Sequence, residues 1–161
     1  MTPTKCPIPT AEAIRRTLAD LLGRPIEIKP NPGGLKAIQR GVIAEYARAD
    51  GVSVGLFVTD VPFAAYCGAA LSMVPAGVAA DSIRTGKLDA NLAENTQEVF
   101  NILSSLLNAE GFAHSALKAV HTIPGALPPQ ITPLVAKPAA RLELNIGING
   151  YGSGSFIVLV G

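Results

Sequence analysis

Five polar side chains recur at helical spacing in the middle of the chain: Glu94, Glu98, Asn101, Ser105 and Asn108. If Asn91 to Glu110 winds as an α-helix at about 100° per residue, they fall within roughly 80° of one another. Leu92, Val99, Ile102, Leu103 and Leu106 then take the opposite side, giving an amphipathic helix whose apolar face meets the core. A polar face is the ordinary outer side of any surface helix, and Glu is a good helix former. This face is nevertheless unusual. It has no Lys or Arg, so Glu94 and Glu98 repel mildly at i, i+4 without a partner. Asn101 and Asn108 are poor helix residues set mid-helix. An acid and an amide at i, i+3 project from one face, so a single helix can present both. Spacing alone leaves two readings open, a solvated face and a binding surface.

The elements that must position this helix are marked by Pro and Gly. Thr10 to Leu22 is expected to be a helix, with Ile14, Leu18, Leu21 and Leu22 at helical spacing, Thr10 as cap and Gly23-Arg-Pro25 as stop. Ile26 to Ile28 is a short strand, and Asn31-Pro-Gly-Gly34 a loop. Val42 to Arg48 and Val52 to Thr59 flank Asp50-Gly51, a dipeptide that tolerates the positive φ of tight hairpin turns. Val52, Val54, Leu56 and Val58 alternate, which predicts one buried face. Asp60 and Pro62 suit the start of a small-residue helix running to Met73 and stopped by Pro75.

Asp89 or Asn91 opens the long helix, which is expected to end near Gly111. Leu117 to Ile123 reads as extended, and the five prolines between Pro124 and Pro138 argue against regular structure there. Arg141 to Ile148 alternates, a Gly-rich turn covers Asn149 to Ser155, and Phe156 to Val160 closes a second hairpin. The order predicts one α+β domain over residues 1–161, an α/β sandwich of a mainly antiparallel sheet with helices packed on it.

Composition excludes several classes of function. The net charge is +1 and the longest like-charged run is Arg15-Arg16, so no nucleic-acid surface is expected. Aromatics make up 5%, too few for base-stacking platforms. The apolar share is 48% against 16% charged, which implies an extensive buried sheet or an apolar surface that meets a partner. Cys6 and Cys67 stand alone, as free thiols do in a reducing compartment. The start, Met1-Thr-Pro-Thr-Lys5-Cys6-Pro7, has no charged segment followed by an apolar run, and a cytoplasmic location is expected. Val61 to Ala80 is uncharged and of bilayer length, but Pro62, Pro75, Gly68, Gly77 and its many Ala argue against a span.

Other constellations carry less. His114 and His121 lack acidic or Cys neighbours at ligand spacing, so no metal site is expected. Ser82, Ser104 and Ser105 have no nucleophile-elbow context. Gly150-Tyr-Gly-Ser-Gly154 precedes a strand and lacks a following Lys, which makes it a hairpin turn rather than a phosphate loop. Cys67 sits among apolar residues as core. Asp81 and Asp89 read as caps or solvated charge flanking a loop.

Glu94-Asn-Thr-Gln-Glu98-Val-Phe-Asn101, followed by Pro124 after 22 residues, resembles the signature of the CheC/CheX/FliY family of chemotaxis phosphatases. That signature is Asp or Ser, three residues, Glu, two residues, Asn, 22 residues, Pro. Glu98, Asn101 and Pro124 match in type and spacing, and the element order is similar too. Glu94 departs from the usual Asp or Ser, and Phe100, Ile102 and Leu103 are bulkier than the family's usual neighbours. Glu12 is followed by Arg15 rather than an Asn three residues on, so the chain is similar to single-site CheX rather than two-site CheC.

The resemblance implies hydrolysis of the aspartyl phosphate of a CheY-like response regulator. Asn101 would orient a water for in-line attack and Glu98 would contact the regulator's lysine, with Glu94, Ser105 and Asn108 as further binding residues. An aspartyl phosphate is already activated, so positioning matters more than strong base catalysis. A neutral amide can hold a water near a dianion without like-charge repulsion. The implied metal is Mg²⁺ on the partner regulator, and no cofactor is expected in this chain. The alternative is an inactive module of the same fold that binds a regulator or a signalling or flagellar partner, and the bulk of Phe100 favours it. A homodimer formed by pairing sheet edges is a third expectation.

Overall fold

The computed structural model describes residues 5–161; the opening residues Met1 to Thr4, weighed above as a leader, lie outside it. Thr10 accepts a hydrogen bond from the Ala13 amide and caps α1, Ala11–Leu22. Gly23 ends it at φ +66°, where a residue without a Cβ is favoured. The strand β1, Ile26–Pro30, leads through a loop to β2, Gly41–Arg48, and β3, Ser53–Asp60, joined across Asp50-Gly51 as expected.

Asp60 caps α2, Val61–Leu71, by accepting from the Phe63 amide. A further helix, α3, spans Ala76–Thr85 and was not anticipated. α2 stops at Leu71, short of the expected Met73, which takes φ +58°, and Pro75 stands at the start of α3, where its fixed φ fits. Asp81 therefore lies within a helix rather than beside a loop, whereas Asp89 does cap α4, Ala90–Leu103. Then follow β4, Ser115–Ile123; a short helix α5, Thr132–Ala136, in the proline-rich stretch; and the hairpin β5, Ala140–Ile148, with β6, Gly152–Val160. The second hairpin turn is tighter than expected, since β6 begins at Gly152.

The six strands form one sheet in the order β1-β5-β6-β3-β2-β4, with every pairing antiparallel. This is the α+β sandwich that the sequence implied. One face packs against α1, α2 and α4 around Tyr46, Phe57, Phe63, Phe100 and Phe156. The other is covered by Ile131 and Leu134 over Ile43, Leu56, Val58, Ile157 and Leu159. Burial on both sides corrects the expectation that β3 has one buried face: Val54 to Thr59 are all buried, while Val52 is exposed. It also accounts for much of the greasy composition. Among the described residues no helix is long and apolar enough to cross a membrane, and the uncharged stretch Val61 to Ala80 divides between α2 and α3.

Small residues let α4 lie close to α2. A Cβ at Gly68 would stand 2.7 Å from the Leu92 carbonyl oxygen and 2.8 Å from Thr96 Oγ1. Thr96, buried in this seam, donates to the Ala64 carbonyl at 2.8 Å or the Leu92 carbonyl at 2.7 Å. Asn95 donates to the Gly68 carbonyl and to Ser72 Oγ. Cys6 and Cys67 are buried and free, and burial pushes both thiols up to about 12, so neither is a thiolate near neutrality.

On the opposite face, Glu45 of β2 is buried at the edge-strand seam. It accepts hydrogen bonds from Ser53 and from Gln130 at 3.3 Å, contacts His121 Nε2 at 2.8 Å, and has Lys118 Nζ 3.8 Å away. Burial alone would raise this carboxyl, but these hydrogen bonds and the ammonium outweigh it and hold it below its ordinary value of 4.5.

Two outcomes follow for stability. Gly68→Ala is expected to destabilise by about 1–3 kcal/mol through overpacking against backbone, measured by urea unfolding; an unchanged midpoint would mean that the α2–α4 seam yields freely. Glu45→Gln is expected to lose about 1.5–3 kcal/mol at neutral pH. A carboxyl lowered by folding stabilises above its unfolded value and loses that contribution on acidification. The difference between wild type and Glu45→Gln should therefore shrink as pH falls below about 4.5; a constant difference across that range would refute the assignment.

Candidate functional site

The outer face of α4 is set by what its inner face buries. Leu92, Val99, Phe100 and Leu103 face the core, and Phe100 is 0% exposed. Tyr46 Oη donates to the Phe100 carbonyl at 2.6 Å. The Ser104 amide turns instead to the Asn101 and Ile102 carbonyls, so the α-helical ladder tightens and the helix stops at Leu103. A 3₁₀ turn over Ser104–Leu107 follows, and Asn108 is extended. The helix is thus shorter than the expected run to Gly111. Only Glu94, Glu98 and Asn101 of the predicted stripe lie on it.

Glu94, Glu98 and Asn101 are all exposed. Glu98 and Asn101 take part in no side-chain hydrogen bond or ion pair among the described residues, whereas the neighbouring Asn95 and Thr96 bond inside the fold. At i, i+3 on an α-helix they lie about 60° apart. Ser105 is exposed and bonds to the Ile102 carbonyl. Asn108 is spent differently: its amide donates to the Ser104 and Ser115 carbonyls and accepts from the Ser115 amide. It ties the 3₁₀ turn to the start of β4 and is not displayed beside Glu98.

The bulk expected to crowd Asn101 is arranged otherwise. Phe100 and Leu103 point into the core, and only Ile102, 38% exposed, departs from its predicted apolar-face position. Phe100 therefore does not obstruct an approach to Asn101.

Glu98 and Asn101 border a shallow groove of about 300 Å³ floored by Leu117 to Val120 of β4. Lys118 directs its ammonium to the Gly51 carbonyl and Glu45, leaving Glu98 without a cationic partner among the described residues. Gln97 lines this groove and also a larger adjoining cleft of about 570 Å³, which Pro124 borders as well. Gln97 was missed by the sequence reading, although its exposed place next to Glu98 was a usable signal. Among the described residues no group of three or more His, Cys, Asp or Glu is arranged to hold a metal ion.

No family model matches the sequence, and no curated protein matches it. Solved structures do match. FliY of Thermotoga maritima superposes with a TM-score of 0.59 at 18% identity, over 91% of this chain and 81% of that one. CheX of Borrelia burgdorferi, solved in complex with CheY, BeF3 and Mg²⁺, gives 0.51 at 21% identity over 92% of each chain. The FliM middle domain of H. pylori gives 0.53 at 10% identity, over 93% of this chain and 84% of that one. The chain thus has the fold shared by CheX, FliY and the FliM middle domain, the architecture that the element order and the family resemblance implied.

Proposed function

We propose that this protein docks a CheY-like response regulator and hydrolyses its aspartyl phosphate. The observation that carries this reading is the pair Glu98 and Asn101, exposed on one helix and unbonded within the fold. On docking, Asn101 orients a water in line with the phosphorus, and Glu98 contacts the regulator's lysine. The water oxygen bonds to phosphorus, the bond to the aspartyl oxygen breaks, and phosphate leaves with the carboxylate restored. The amide serves because a carboxylate at that place would repel the phosphoryl dianion. The divalent ion for this step is the regulator's Mg²⁺, and this chain supplies position rather than a metal. Burial of Phe100 supports the reading, because it leaves Asn101 open to a partner.

A second reading is a docking module without turnover. It draws on the likeness to FliM of H. pylori, which has been solved in complexes with SpeE and with FliG.

One assay separates the two. A panel of phosphorylated response regulators is mixed with the protein and phosphate release is followed. The expected result is a shortened phospho-regulator lifetime for at least one, with Asn101→Ala and Glu98→Ala each losing about 100-fold of that acceleration. Saturable binding with unaltered lifetimes favours the second reading, and neither binding nor acceleration with any regulator rejects both.

A further inference from the structure

The 570 Å³ cleft beside the groove has a composition that the regulator reading does not use. It opens between the start of β2, the α3–α4 connection, α4 and the end of β4. Its walls are apolar, chiefly Val42, Val61, Leu88, Val120 and Ile123. No acidic residue lines it, and its two charged lining residues are the cations Arg40 and Lys87. Its volume lies within the range of about 300–1,000 Å³ typical of small-molecule sites.

The cationic end is built by a close approach. Gly86 closes α3 at φ +74°, and a Cβ there would stand 2.3 Å from Arg40 Nη1 and 2.9 Å from its Cδ. The arginine side chain thus lies across the glycine, one residue from Lys87. Among the described residues this side chain makes one hydrogen bond, to the Thr85 carbonyl, and that is long at 3.4 Å. A guanidinium has five N–H donors, so most remain for a ligand. Among the described residues neither Arg40 nor Lys87 has an acidic side chain within ion-pairing distance.

We infer that this cleft binds a small amphipathic anion, a hydrocarbon or aromatic body seated on the apolar walls with one carboxylate, sulfonate or phosphate held by Arg40 and Lys87. An apolar wall takes the body without a directional requirement, and the unpaired cations fix its orientation. The inference is independent of any activity at Glu98 and Asn101. Because Gln97 faces both spaces, an occupant would adjoin the docking groove.

The test is a fluorescence titration of the whole protein with anilinonaphthalene sulfonate, followed by competition. One-site saturable enhancement is expected, displaced by decanoate and at least about tenfold less well by decanol or decyltrimethylammonium, the gap that one lost charge contact of about 1.4 kcal/mol would give. Ala93→Trp, which fills the cleft from α4, is expected to abolish binding. Lys87→Glu, on the exposed connection, is expected to weaken it about tenfold and serves if the tryptophan variant does not fold. The proposal is overturned by non-saturable enhancement, by equal displacement with the decyl cation, by displacement with inorganic phosphate alone, or by undiminished binding in folded Ala93→Trp or Lys87→Glu.

Discussion

The ring of Phe100 and the phenol of Tyr46 fix the rotation of α4 about its own axis. The ring is fully buried and the phenol bonds to the carbonyl of the same residue, so a hydrophobic and a directional contact act on one point of the helix. Burying a phenylalanine is worth about 1.5–3 kcal/mol, and a rolled helix would forfeit that burial and leave a buried hydroxyl unpaired. With Phe100 held inward, its neighbour Asn101 must face out, and Glu98 follows one turn earlier on the same side. The residue that seemed to block the polar pair is therefore what presents it.

The sheet beneath is clad on both sides, by the long helices on one face and by the proline-rich segment on the other. Gln130 of that segment bonds to the buried Glu45, which in turn contacts His121 and Lys118 of β4, while α4 packs against the same strand. The edge strand that floors the groove is thus held by polar contacts on one side and helix packing on the other. Rigid support of this kind is what a site relying on position rather than on a perturbed acid or base requires.

Much of this was legible in the chain. Alternation in Arg141 to Ile148 and the Asp50-Gly51 dipeptide marked both hairpins, and Thr10 and Asp60 marked two helix starts. The acid–amide pair was legible because an α-helical repeat needs no tertiary information. What escaped was decided at a distance. The end of α4 depends on a tyrosine 54 residues away, so Asn108 was placed on a stripe it does not join. The α3 helix was hidden because Pro75 can close one helix as well as open another, and Ala-Gly-Val-Ala-Ala has little periodicity. The cationic cleft draws its walls from five separate segments, none of which carries a local signature.

The Asn108 amide, bonded to both backbone groups of Ser115, closes a neck at the base of the loop that follows α4. Residues 109–114 hang outside that neck, all of them exposed. Lengthening a surface loop costs only about 0.6 kcal/mol per doubling. The span is therefore a natural graft point, where added sequence or an inserted domain could be carried while the groove behind it keeps its shape.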